Sequence, residues 1–258
     1  MFFPPFDWWR TVFFLIPTIA VYTIVLGTLS VASSFIDRRG FFAHACARAW
    51  SWLILATTGV AVDATGIEAL TPGRTYIFVS NHQSIYDIPI LFSTLPYELR
   101  IIAKQSLGRV PFLGWHLQRT GHLLVDRRSP DRFGIFRQWS QLVSRGLSLI
   151  VFPEGTRSID GRVVRFKAGS FLLAIQAGLP VVPVAMSGSR HVMLKNRLMV
   201  KPGRVSLVVR PPIETEGRYR PIVEDAKRLA DDVRAQIRAI VEDGAFAETA
   251  RGSAPEGG

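Results

Sequence analysis

The segment Ser80-Asn81-His82-Gln83-Ser84-Ile85-Tyr86-Asp87 sets an imidazole and a carboxylate five residues apart, close enough to meet across one turn. A neutral imidazole, with an unperturbed pKa of about 6.5, can take up a proton near neutrality. A carboxylate on its other ring nitrogen fixes the tautomer and stabilises the imidazolium that forms. Such a base–orienter pair needs no nucleophile from the protein, because a substrate hydroxyl can play that part. The same residues also fit a plainer role. Ser84-x-x-Asp87 is the pattern of a helix N-terminus, with its acid near the positive end of the helix dipole.

Two basic loops lie further along. Gly121-His-Leu-Leu-Val-Asp126-Arg127-Arg128 leaves a β-rich run, and Phe152-Pro153-Glu154-Gly155-Thr156-Arg157-Ser158 leaves another. Guanidinium forks match phosphate oxygens bidentately. Gly155 lets the backbone approach a ligand closely, or simply makes a turn. Taken alone, each loop also reads as a solvated turn. Lys104 and Lys167 are further cations with weaker individual claims. Other chemistries lack their patterns. There is no P-loop, G-x-G-x-x-G, H-E-x-x-H or G-x-S-x-G, and His44, His82, His116, His122 and His191 have no metal-ligand spacing.

The elements that must position these residues read as α/β. Short β-rich runs occur at 76–80, 100–103, 122–125, 148–152, 181–185 and 204–209. Several are continuously apolar, as strands covered on both faces are. Helical stretches fall between them at 88–95, 130–145 and 167–177, the last closed by Gly178 and Pro180. The alternation predicts a layered sheet flanked by helices. Near the C-terminus Ile222, Ala226, Leu229, Val233, Ile237 and Ile240 recur at three- and four-residue intervals, an amphipathic helix packed on the domain.

The N-terminus has a different texture. Residues 11–36 contain no charge, and as a helix they reach roughly 39 Å against a hydrocarbon core of about 30 Å. Trp8, Trp9 and Arg10 precede the run, and Asp37, Arg38 and Arg39 follow it, which suits two polar interfaces. The run is longer than a signal peptide's apolar core and no basic segment precedes it. A second apolar stretch, 41–62, carries Arg48, costly at mid-membrane, and the interfacial Trp50 and Trp52. It is expected to lie half inserted against the first helix. A full second crossing would put Arg38 and Arg39 on the far side from the downstream domain. The expected division is a membrane-anchoring helical element at 1–62, an α/β domain at 63–243 and a flexible tail at 244–258.

Of 258 residues, 48% are hydrophobic and 20% charged, which excludes a disordered chain. A single cysteine, Cys46, excludes a disulfide framework and a cysteine-based zinc site. The net charge of +11 favours anionic partners: phosphorylated substrates, an anionic membrane surface or nucleic acid.

Together these segments resemble the membrane-bound glycerolipid acyltransferases, most closely the 1-acyl-sn-glycerol-3-phosphate acyltransferases. That family's N-H-x-x-x-x-D block matches Asn81, His82 and Asp87. Its G-x-x-x-x-D/N-R block is similar to 121–127, with Leu124 where an aromatic residue is frequent. Its F-P-E-G-T-R-S block is matched in full from Phe152 to Ser158, and its V-P-V block by Val182-Pro183-Val184. The resemblance covers roughly residues 60 to 215 and the apolar N-terminus. It implies acyl transfer from acyl-CoA or acyl-carrier protein to the free hydroxyl of a lysophospholipid, with no metal or prosthetic group. His82 is then the general base and Asp87 its orienter. Lys104, Arg127 and Arg157 hold the acceptor phosphate. Asn81, Glu154, Gly155 and Thr156 shape the acceptor site, and Pro183 belongs to the wall near the acyl chain or acceptor. The implied place is the cell membrane, with the catalytic domain on the cytoplasmic face. Rival readings are another acceptor, such as glycerol-3-phosphate or a different lyso-lipid, and a membrane-tethered protein that binds anions or nucleic acid. No nucleic-acid-binding motif supports the last.

Overall fold

The computed structural model describes residues 5–37, 39–126 and 132–242. Arg127 and the tail 244–258 lie outside the described residues. A helical run over Phe6–Ser33 opens the chain and is long and apolar enough to cross a membrane. It comprises α1 (Phe6–Arg10), a π-helical turn (Thr11–Leu15) and α2 (Ile16–Ser33). The chain then reverses. The Asp37 carboxylate accepts the backbone N–H groups of Arg39, Gly40 and Phe42, which starts α3 (Phe41–Thr58). α3 returns antiparallel to α2, joined to it by Tyr22–Thr57 and Trp50–Thr23 hydrogen bonds.

The apolar stretch expected to stay helical to residue 62 stops earlier. Gly59, at φ +75°, ends α3 in the left-handed conformation that a glycine adopts without steric cost. Val60-Ala-Val then starts a strand that sequence periodicity did not separate from the helix: β1 (Val60–Thr65). This strand crosses the division expected between 62 and 63.

The six expected β-rich runs form β2 (Ile77–Ser80), β3 (Leu99–Lys104), β4 (Leu123–Val125), β5 (Ser148–Val151), β6 (Val181–Ser187) and β7 (Gly203–Val209). Between them lie α4 (Asp87–Thr94), α5 (Leu113–Arg119), α6 (Arg132–Val143), α7 (Gly169–Gln176) and the short α8 (Ser189–Val192). The amphipathic helix α9 (Val223–Glu242) follows β7. The strand order is β1-β7-β6-β2-β5-β3-β4. All neighbours are parallel except β6 and β7, so the sheet is mixed.

Alternate strand residues feed two cores. Phe78, Ile150, Val182 and Val184 face α3 and α4, while Ile77, Val79, Leu149, Val151 and Val181 face α7 and α9. Both faces are covered, which explains why these strands read as unbroken apolar runs. The N-terminal hairpin is moored to the α/β unit at both ends. At one end Thr11 Oγ1 accepts the Val200 N–H. At the other, Ser30 Oγ meets His116 Nδ1 at 2.6 Å and Arg119 Nε donates to Ser34 Oγ at 2.9 Å. Its outer face leaves Phe13, Phe14, Val21, Ile24, Val25 and Leu29 exposed.

Candidate active site

β2 ends at Ser80 in the middle of the sheet, and the next two residues are Asn81 and His82. The carboxyl ends of parallel strands, where neighbouring loops diverge, commonly form clefts. Asn81 is buried and locks this strand end. Its amide donates to the Met186 carbonyl and accepts the Met186 N–H, both at 2.8 Å. It therefore shapes the site by continuing the β2–β6 ladder through its side chain.

His82 Nδ1 and Asp87 Oδ2 lie 2.7 Å apart. The same Oδ2 accepts the N–H groups of Gln83 (2.7 Å) and Ser84 (3.0 Å). Three donors on one fully buried carboxylate oxygen require Nδ1 to be the protonated nitrogen. Nε2 is then the basic one, and it makes no hydrogen bond within the described residues. The imidazole stacks on Phe152, with ring centroids 4.2 Å apart. Asp87 is also in the first turn of α4, so the helix-start reading and the orienter reading describe one carboxylate. Pro89 falls in that same turn, where its missing N–H costs nothing. Ser84 does not cap the helix; its hydroxyl donates to the Met193 carbonyl.

The 152–158 loop is laced to the histidine turn. The Ser158 N–H donates to the His82 carbonyl at 2.7 Å, and the His82 N–H approaches Glu154 Oε1 at 3.4 Å. Glu154 is 5% exposed and its Oε2 is buried without a partner. Burial, with Asp87 nearby adding to it, pushes its carboxyl up to about 8, so it is protonated at neutral pH. Gly155 sits at φ +72°, and a Cβ there would lie 2.8 Å from Lys167 Nζ; the lysine amine lies over the glycine. Thr156 Oγ1 and the Arg157 carbonyl both accept from Lys195 Nζ, at 3.0 and 2.8 Å. The Arg157 guanidinium has no ion-pair or hydrogen-bond partner among the described residues. Lys104 is exposed at the end of β3, in register with Val125 of β4, two residues before Arg127.

Pro183, expected in a wall near the acyl chain or acceptor, is not in the pocket wall described below. It pairs with Val79 inside the sheet and is buried between Val181 and Ala185 on the α7–α9 face. A V-P-V run signals a central strand, and its proline lies within the layer. Two residues that sequence reasoning missed come to the site. Lys195 braces the basic loop from a segment without a recognisable pattern. Gln83 holds the loop beyond it through the Gly161 carbonyl at 3.0 Å.

Beside Ile85 an apolar pocket opens between the hairpin and the sheet. Its wall includes Gly27, Trp50, Ile88, Phe92, Leu113 and Leu117. His116 and His122 are among its lining residues, and burial with the neighbouring Arg100 holds both well below the usual imidazole range, so they are neutral. This wall suits a hydrocarbon chain.

Comparison with known proteins agrees with this geometry. Residues 61–187 match a family model described as Acyltransferase. A 1-acyl-sn-glycerol-3-phosphate acyltransferase alpha of Mus musculus is 35% identical over 185 residues, 70% of this chain and 64% of its own length. A 1-acyl-sn-glycerol-3-phosphate acyltransferase of Cocos nucifera is 30% identical over 204 residues, 78% of this chain and 64% of its own. The chain thus spans a little under two thirds of these relatives. The crystal structure of the 1-acyl-sn-glycerophosphate acyltransferase PlsC from Thermotoga maritima superposes with a TM-score of 0.75 at 26% identity, covering 92% of this chain and 97% of that one. The histidine–aspartate pair at the end of the central strand β2 thus lies within the segment, residues 61–187, that matches the Acyltransferase model.

Proposed function

We propose that this protein transfers a fatty acyl group from an acyl thioester, acyl-CoA or acyl-carrier protein, to the free hydroxyl of 1-acyl-sn-glycerol-3-phosphate, giving phosphatidic acid. The observation that carries the reading is the His82 ring. Its Nδ1 is locked to Asp87, its Nε2 is unbonded, it stacks on Phe152 at the start of the basic loop, and its turn leads three residues on to Ile85 in the wall of the apolar pocket.

In this scheme His82 Nε2 takes the proton of the acceptor hydroxyl as the oxygen attacks the thioester carbonyl carbon. The tetrahedral intermediate collapses by breaking the C–S bond, and the leaving thiolate takes the proton back from Nε2. Asp87 stabilises the transient imidazolium and keeps the ring aimed. Arg157, Lys104 and, from the sequence pattern, Arg127 hold the acceptor's phosphomonoester. Glu154, protonated and buried beside the base, shapes the acceptor site from within by meeting the His82 N–H through Oε1. The scheme uses no metal or prosthetic group.

The mooring of the hairpin supports attachment to one membrane face. A rod tied to the same body at Thr11 and again at Ser34, about 35 Å further along, cannot cross a bilayer while that body stays on one side. It lies in one leaflet with its phenylalanines and aliphatic residues in lipid. The cytoplasmic face of the cell membrane, where acyl thioesters are made, completes the proposal.

The test is a panel of acceptors with one acyl-CoA and purified protein in detergent. Phosphatidic acid from lysophosphatidate, faster than product from glycerol-3-phosphate or other lyso-lipids, is expected. Brisk transfer to another acceptor and none to lysophosphatidate would overturn the choice of acceptor.

A further inference from the structure

A second cleft opens at the carboxyl ends of β2 and β6, on the α9 face of the sheet, with a volume of about 880 Å³. Gln83, the neighbour of His82, is on its rim, and four guanidinium groups line it: Arg162, Arg190, Arg234 and Arg238. Asp160 and Glu242 are the acids in its wall. Two of the arginines are ion-paired locally, Arg162 to Asp160 and Arg238 to Glu242. The other two are not. Arg190 Nε donates to the Ile159 carbonyl at 2.9 Å. Arg234 donates to the Val164 and Val163 carbonyls at 3.0 and 3.1 Å. Neutral carbonyls fix a guanidinium in place and leave its charge uncancelled. Neither arginine has a carboxylate partner among the described residues. Two preorganised, uncompensated cations in one concave site make an attractive potential for an anion.

The cleft's position narrows the anion. The apolar pocket is on the hairpin side of the sheet, and the cleft is on the opposite side; His82 and Gln83 stand at the strand end between them. A lysophospholipid keeps its own acyl chain at the lipid side. An acyl thioester divides differently: an apolar chain on one side of the reacting carbon and a water-soluble head on the other.

We propose that the Arg190–Arg234 cleft binds the phosphate-bearing head of the acyl donor, the adenosine 3′,5′-bisphosphate end of acyl-CoA. The inference rests on the acyl-transfer reading above and assigns that reaction's donor a place. The chain enters the apolar pocket, the thioester lies over His82, and the pantetheine arm passes Gln83 to reach the arginines.

The experiment compares palmitoyl-CoA with palmitoyl-pantetheine, which lacks the phosphates, using lysophosphatidate as acceptor. Arg190→Gln and Arg234→Gln should each raise the KM for palmitoyl-CoA about ten-fold, the loss of one charge-assisted contact. The KM values for palmitoyl-pantetheine and lysophosphatidate should stay where they are in the parent. Arg234→Lys should recover part of the loss, since it keeps the charge. On the unaltered protein, adenosine 3′,5′-bisphosphate should bind in calorimetry, weaken with added salt and compete with palmitoyl-CoA. An unchanged KM for palmitoyl-CoA, or an equal rise for both donors, would overturn the assignment. So would a rise confined to lysophosphatidate, no binding of the bisphosphate, or turnover with acyl-carrier protein but not acyl-CoA. Bisphosphate binding does not depend on turnover, so absence of acyl transfer to any acceptor would count against the acyl-transfer reading separately.

Discussion

Replacing Asp87 with asparagine keeps the shape of the side chain and removes its charge. In the parent, one oxygen accepts His82 Nδ1, the Gln83 N–H and the Ser84 N–H at 2.7, 2.7 and 3.0 Å. An asparagine carbonyl can still accept from these donors, so the turn should hold. What disappears is the attraction between a carboxylate and the imidazolium formed during attack. Two unit charges about 4 Å apart at an effective dielectric of about 20 interact by roughly 4 kcal/mol. At 1.36 kcal/mol per decade this corresponds to about a thousand-fold in kcat, within the range general-base catalysis commonly contributes. Asp87→Asn should therefore cut kcat about a thousand-fold and move both KM values less than about three-fold. Asp87→Ala is a poorer probe. It strands two backbone N–H groups at about 1–3 kcal/mol each and puts folding at risk. The assay is release of free thiol from acyl-CoA on addition of lysophosphatidate, with thermal unfolding run alongside. A kcat within ten-fold of the parent, at an unaltered unfolding midpoint, would refute the role assigned to the carboxylate.

Other consequences are checked as directly. Glu154 holds its proton up to about pH 8 when folded, against 4.5 for the ordinary side chain. The folded state therefore binds more protons between those values, and stability falls as pH rises through them, by an order of 5 kcal/mol at most. Glu154→Gln should match the parent's unfolding midpoint near pH 4.5 and exceed it increasingly towards pH 8; a pH-independent difference would contradict the burial argument. Leu117→Trp, in the pocket wall, should shorten the preferred acyl chain. Excluding two or three methylenes at about 0.8 kcal/mol each lowers kcat/KM for the longest donors roughly thirty-fold and spares short ones, measured across an acyl-CoA series. Arg157→Ala should raise the KM for lysophosphatidate by about ten-fold or more with a smaller effect on the acyl-CoA KM; steady-state kinetics with each substrate varied in turn separate the two.

Much of the fold is legible in local pattern because the sheet is covered on both faces. Runs such as Leu149-Ile-Val151 and Val181-Val182 have no alternation to confuse with an exposed strand. β1 is hidden because Leu53-Ile-Leu-Ala56 and Val60-Ala-Val62 differ little in apolarity and only Thr57-Thr58-Gly59 divides them. The pairing of His82 with Asp87 is legible in the sequence because the two residues share one turn. Lys195, Gln83 and the pocket wall are not, since they meet through the fold: the wall draws on α2, α3, α4 and α5, far apart in sequence. Pro183 lies in a distinctive motif, and what that motif marks in the fold is a buried strand position paired with Val79.

The central claim is tested most directly by the rate of acyl transfer to lysophosphatidate in the His82→Ala variant, measured by phosphatidic acid formation on protein that keeps the parent's unfolding midpoint. The account predicts a loss of at least about a hundred-fold in kcat, the lower end of general-base contributions. Turnover near the parental rate would contradict it.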